Sequence, residues 1–122
     1  MTNTHVPLWR NTEGRTVERI FAALVLDELC RRADLTTAEL LRRVRSRLHR
    51  PMSRQTLAAW RRGEQSIPTE VLFAIAYIVG ITIGDAASML AMEVLNDKAA
   101  DPEFAAAVRR YYTRDRLARV KR

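Results

Sequence analysis

Arg54 and Gln55 open the stretch Ser53-Arg-Gln-Thr-Leu-Ala-Ala-Trp-Arg-Arg-Gly63, and their types suit the reading of base edges in a DNA major groove. An arginine guanidinium gives two N–H donors to the O6 and N7 acceptors of guanine; a glutamine amide donates to N7 of adenine and accepts from its amino group. The surrounding residues predict a short helix with two unlike faces. Ser53 can cap its start through its side-chain oxygen. Leu57 and Trp60, three apart, share a side that should be buried. Arg54, Gln55, Ala58, Arg61 and Arg62 share the other, and the small alanines would let the helix approach bases closely. Gly63 stands where a helix needs a left-handed residue to stop.

The charge distribution is consistent with a polyanionic partner. The 122-residue chain has a formal net charge of +7, unevenly placed. Residues 1–35 balance five basic against five acidic side chains, whereas residues 36–63 hold eight arginines against Glu39 alone. Residues 64–108 reverse the sign, with seven acids against Lys98, and residues 109–122 hold seven basic groups against Asp115. The arginine-rich block contains the 53–62 helix, as phosphate attraction would require. A solvated arginine-rich surface is the plainer reading of the same block.

The elements that must position these residues read as helices throughout, and no alternating apolar run calls for a sheet. Residues 1–15 lack a sustained period and are expected to form a flexible arm, with Leu8 and Trp9 available to tack it to the body and Arg10 and Arg15 available to reach a groove. Val17, Ile20, Phe21, Leu24 and Leu29 recur at helical spacing. Thr36 or Thr37 starts a second helix through Leu40, Leu41 and Val44, which Pro51 should end by disfavouring helical backbone at Arg50. A fourth helix over about 69–79 is apolar nearly all round and is expected to be the central core element, with Gly80 as its stop. A fifth covers about 85–95. Asp101-Pro102 starts a sixth, which could run to about Val120.

Other chemistry finds little support. His5 and His49 are isolated, and with Cys30 as the lone cysteine no zinc-ligand set is visible. No glycine-rich phosphate loop or nucleophile signature is present. No catalytic residue, metal, cofactor or small-molecule ligand is therefore expected. The longest apolar run, Val71 to Ile83, is shorter than the roughly 20 residues of a membrane span. With no basic-then-apolar segment at the N-terminus and a single cysteine, a cytoplasmic location is expected.

Residues 36–90 resemble the helix-turn-helix family of phage repressors, Cro proteins and related bacterial regulators. The resemblance rests on Leu35-Thr-Thr-Ala-Glu-Leu40, Met52-Ser53, Thr56-Leu57, Trp60 and Gly63, then Pro68, Leu72, Ile75-Ala76, Gly80-Ile81 and Leu90. It covers nearly half the chain and implies an all-α bundle of five to six helices, lambda-repressor-like, with a helix-turn-helix domain over 16–96 and a basic C-terminal helix over 97–122. In this family the second helix of the motif enters the major groove and the first crosses the backbone. The family pattern then places base contacts at Arg54, Gln55, Ala58 and Ala59. Phosphate contacts fall at Thr37, Ser53, Arg61, Arg62 and Gln65, and the motif core at Leu40, Leu57 and Trp60. The sequence departs from the common pattern between the two motif helices, where Arg45 to Pro51 replaces a tight turn and adds Arg45, Arg47 and Arg50 as candidate phosphate contacts.

The implied function is a sequence-specific double-stranded DNA-binding regulator, a repressor acting by operator occupancy, for which a phage immunity repressor is the favoured identity on small size. An autoregulating antitoxin with a toxin partner and a protein-interaction adaptor using its acidic region are the alternatives. The C-terminal helix, with Arg109, Arg110, Arg114, Arg116, Arg119, Lys121 and Arg122, has three readings: an element of a homodimer, an extra DNA contact, or a helix packed back on the first.

Overall fold

Threonine, serine and aspartate caps divide this chain into helices. In the computed structural model, which describes residues 6–12 and 14–110, a 3-10 turn at Leu8–Arg10 precedes α1 (Val17–Arg32), α2 (Thr37–Leu48), α3 (Arg54–Arg61), α4 (Thr69–Val79) and α5 (Ile83–Asn96). A further helical stretch, α6, spans 102–110. No strand occurs among the described residues, so the fold is all-α.

Four hydroxyls accept the first free backbone N–H groups of their helices. Thr16 receives Arg19 N at 3.2 Å, Thr36 receives Glu39 N at 3.1 Å, Ser53 receives Thr56 N at 3.1 Å and Thr82 receives Asp85 N at 3.0 Å. Asp101 does the same for α6, accepting from Glu103 N at 2.9 Å and Phe104 N at 3.1 Å. Each such cap contributes about 1 kcal/mol.

The stops use left-handed backbone. Gly80 ends α4 at φ 84°, as the sequence predicts. α2 ends differently from the expectation. His49, not the approach of Pro51, closes it: at φ 54° it donates its N–H to Arg45 O at 2.8 Å, two residues before the proline. The long Arg45–Pro51 segment is thus split between the last turn of α2 and a connection of five residues, 49–53.

α1 is the centre of the bundle, not α4. Its Ile20, Leu24, Leu26 and Leu29 are buried, and α3, α4 and α5 all pack on it. α4 lies between α1 and α2 and buries Val71, Ala74, Ile75 and Ala76. It also leaves a stripe in solvent, with Phe73 61% and Tyr77 68% exposed, so it is not the all-round core helix its composition suggests.

Both ends of the described chain join the same core. Residues 97–110 do not form a separate unit, because Ala100, Phe104 and Val108 belong to one hydrophobic cluster with α1, α4 and α5. The rings of Phe21 and Phe104 stand 6.4 Å apart. The expected arm is docked over 8–12: Trp9 is buried, its indole N–H donates to Asp97 at 2.6 Å, and its carbonyl accepts from Asp101 N at 2.7 Å. Arg10 joins it with an ion pair to Asp97 at 2.8 Å. Residues 1–5 and 111–122, including the C-terminal end expected for α6, lie outside the described residues. No single helix among those described is long and apolar enough to cross a membrane, and the apolar pair α4–α5 turns by 92° between its members.

Candidate nucleic-acid interface

α3 is eight residues long, and successive side chains step about 100° around its axis. Ala59, Thr56, Trp60 and Leu57 fall in one arc; Arg61, Arg54, Ala58, Arg62 and Gln55 fall in the other. Burial follows this division. Leu57, Ala59 and Trp60 are buried, Arg54, Gln55 and Arg62 are exposed, and Thr56, Ala58 and Arg61 are half-buried. Leu40, on the adjoining α2, is buried as well.

Ala59 needs correction. The family pattern places it against DNA, but it is only 8% exposed and sits on the inner arc beside Trp60. Helix periodicity alone assigns it there. Ala58 is on the outer arc but opens onto a cleft of about 440 Å³, which Val6–Trp9, Leu24, Asp27, Arg31, Arg61 and Arg62 also line. The N-terminal segment therefore runs beside the outer face of α3.

The arginines differ in what already holds them. Arg61 turns towards α1, where its Nε and Nη2 reach Asp27 Oδ1 at 2.8 and 2.6 Å. Arg62 forms a two-point pair with Glu64, at 2.8 and 3.1 Å. Arg50 is paired with Glu70 on α4, and Arg47 lies 3.8 Å over the ring of Tyr77. Arg42 and Arg43 both pair with Glu39, the first through a two-point contact. Together they hold the Glu39 carboxyl down at about 2, chiefly through the hydrogen bond from Arg42. Arg45 donates to its own helix at Leu41 O, 3.3 Å away. Among the described residues, Arg54 has no carboxylate partner and the Gln55 side chain no hydrogen-bond partner.

The remaining candidates frame this face. Thr37 is the first residue of α2 and is exposed. Ser53 spends its oxygen as the α3 cap and lies 3.0 Å from the Thr56 hydroxyl. Gln65 is exposed in the loop after Gly63. Gly63 itself is buried at φ 73°, where an added Cβ would meet Arg15 Cδ at 3.3 Å, so Arg15 packs against the end of α3. Arg10 is held by Asp97 at the end of α5.

Sequence reasoning missed the acidic residues that occupy these arginines. Glu39 with Arg42 and Arg43, at spacings of three and four on one helix, was a legible signal. Asp27 and Glu70 gave none, being 34 and 20 residues from Arg61 and Arg50. Burial pushes the Cys30 thiol up to about 11. Among the described residues no group of histidine, cysteine or carboxylate side chains is placed to hold a metal. Comparison with protein-family models, curated proteins and solved structures gives no match.

Proposed function

We propose that this chain is a sequence-specific double-stranded DNA-binding regulator of transcription, with α3 entering the major groove and α2 running along the backbone. The observation that carries the reading is the pair Arg54 and Gln55: exposed, without ionic partners among the described residues, and standing at the start of a short helix capped by Ser53. A buried Leu57 and Trp60 anchor the opposite arc, so the readers stand on a rigid support rather than a loop.

Direct readout needs such groups pre-positioned, because a bidentate contact tolerates little error in angle. Arg54 would grip a guanine and Gln55 an adenine, with Ala58 against a thymine methyl. Thr37, Arg45, Gln65 and the neighbouring Arg47, Arg50 and Arg62 would meet phosphates; the last two would first exchange their present partners. Occupying an operator in this way excludes polymerase, which makes repression the simplest outcome. The resemblance of residues 36–90 to helix-turn-helix regulators points to the same helix.

Salt dependence tests the electrostatic part. Binding to duplex DNA should weaken as salt rises, with a log–log slope of about −0.9 for each phosphate neutralised. A complex indifferent to salt, or no duplex binding at low salt, would contradict the proposal.

A further inference from the structure

We propose that Tyr77 is a positioning residue for binding of the DNA backbone: its ring holds the Arg47 guanidinium flat and leaves the N–H donors for one phosphate. The inference rests on the DNA-binding reading above and deepens it at a single side chain. Arg47 lies on the last turn of α2, and its Cζ rests 3.8 Å from the centroid of the Tyr77 ring on α4. That is the contact distance of two flat groups laid face on face. The other arginines of residues 36–63, Arg54 excepted, each give an N–H to a carboxylate or carbonyl oxygen of the chain. Arg47 gives none among the described residues, so the ring is what holds it.

The kind of partner decides what an arginine can still do. A carboxylate takes the N–H donors of a guanidinium and cancels its charge, so a phosphate must displace it. An aromatic ring meets the face, whereas the five N–H donors point along the plane. Stacked Arg47 keeps both charge and donors, and takes a phosphate without leaving the ring. Arg50 is the contrast: it reaches Glu70 on the first turn of the same α4 and is neutralised there. The stack also removes in advance much of the rotamer freedom that an unheld arginine loses on meeting a phosphate. Tyr77 itself is 68% exposed and lies outside the hydrophobic core, so packing does not call for its ring. The connection 49–53 leads from this pair into the first turn of α3, which keeps Arg47 within roughly 25 Å of Arg54 even at full stretch. That span is about twice the width of a major groove, so the strand bordering the groove that α3 enters falls within it.

Binding of the full chain to a mixed-sequence duplex, followed by fluorescence anisotropy across a salt series, tests the pair. Arg47→Ala should weaken binding and reduce the magnitude of the log–log salt slope by about 0.9, the loss of one phosphate. Tyr77→Ala should weaken binding about two- to tenfold at fixed salt, the range set by immobilising one long side chain anew. Tyr77→Phe keeps the ring and should restore it. Phe73→Ala, at the exposed aromatic one turn away, should change nothing. In an Arg47→Ala background, Tyr77→Ala should have no further effect, because Tyr77 acts only through that arginine. Helical circular dichroism and thermal midpoints should match the natural chain in every variant, so that lost binding is not lost fold. Equal binding by the natural and Tyr77→Ala chains overturns the inference, as does a loss that Tyr77→Phe does not restore, or one that persists at full size without Arg47. Those results leave DNA binding itself standing. A natural chain that binds no duplex overturns the wider reading, and this inference with it.

Discussion

Among the described residues Arg54 holds no carboxylate, and its side chain is exposed. Its neighbours Arg61 and Arg62 are not in that position, being bound to Asp27 and Glu64. This difference separates specificity from general attraction at the level of single side chains. Arg54→Ala or Gln55→Ala should each lose about 1–3 kcal/mol of discrimination between a preferred site and random duplex. Neither substitution removes a buried contact, so thermal midpoints should stay within experimental error; competition binding alongside thermal melts checks both.

A second residue-scale expectation concerns acid. The Arg10 guanidinium, with help from the Trp9 indole and the Ala99 N–H, holds Asp97 well below the usual carboxylate range, and Glu39 is lowered to about 2 by Arg42 and Arg43. Above the unfolded values of 3.8 and 4.5 both states carry the charge, and the full stabilisation is present. As pH falls through those values the unfolded chain takes up protons first, so stability drops with acidification. Denaturant midpoints from about pH 5 downwards should fall less steeply for Asp97→Asn than for the natural chain. In the folded chain the Trp9 indole N–H resonance should hold through that window and shift only at lower pH, where its acceptor Asp97 is protonated in the native state.

Among elements, α3 depends most on its cap. An eight-residue helix is too short to be stable by propensity, so it stands on Ser53 at one end and on packing through Leu57 and Trp60. Ser53→Ala should cost about 0.5–2 kcal/mol by chemical denaturation, and should weaken DNA binding further because the readers sit on the first turn. Equal DNA affinity in the destabilised variant would mean that α3 does not need to be fixed in order to bind.

The elements were also the most legible level in the sequence. Thr69 and Gly80 bracket α4 at its observed ends because a left-handed glycine is a local requirement. α5 begins earlier than its apolar spacing suggests, at Ile83, because the Thr82 hydroxyl captures Asp85 N. The outer and inner arcs of α3 could be drawn from 100° steps alone, and only the family pattern misplaced Ala59. His49 as the stop of α2 was hidden, since a non-glycine residue seldom takes φ 54°.

At the scale of the whole molecule, the links that sequence cannot show are those between distant segments. Trp9 finds Asp97 across 88 residues, and through that contact the N-terminal segment closes against the end of α5. Phe104 in α6 reaches the same core, so 97–110 should unfold with the rest. Phe104→Ala should lower stability by about 3–5 kcal/mol and preserve a single transition when followed by both circular dichroism and tryptophan fluorescence. A separate early transition for α6 would show instead that it is an appended element.

The bundle thus carries a basic, partly self-paired surface, and at the start of α3 it exposes two polar side chains that are unpaired among the described residues. Selection of bound fragments from random duplex DNA, run in parallel with the full chain and with its Arg54→Ala, Gln55→Ala variant, tests this most directly. The account predicts an enriched site containing guanine and adenine positions for the natural chain and loss of enrichment at those positions for the variant. No enriched site, or the same site enriched equally by both proteins, would contradict it.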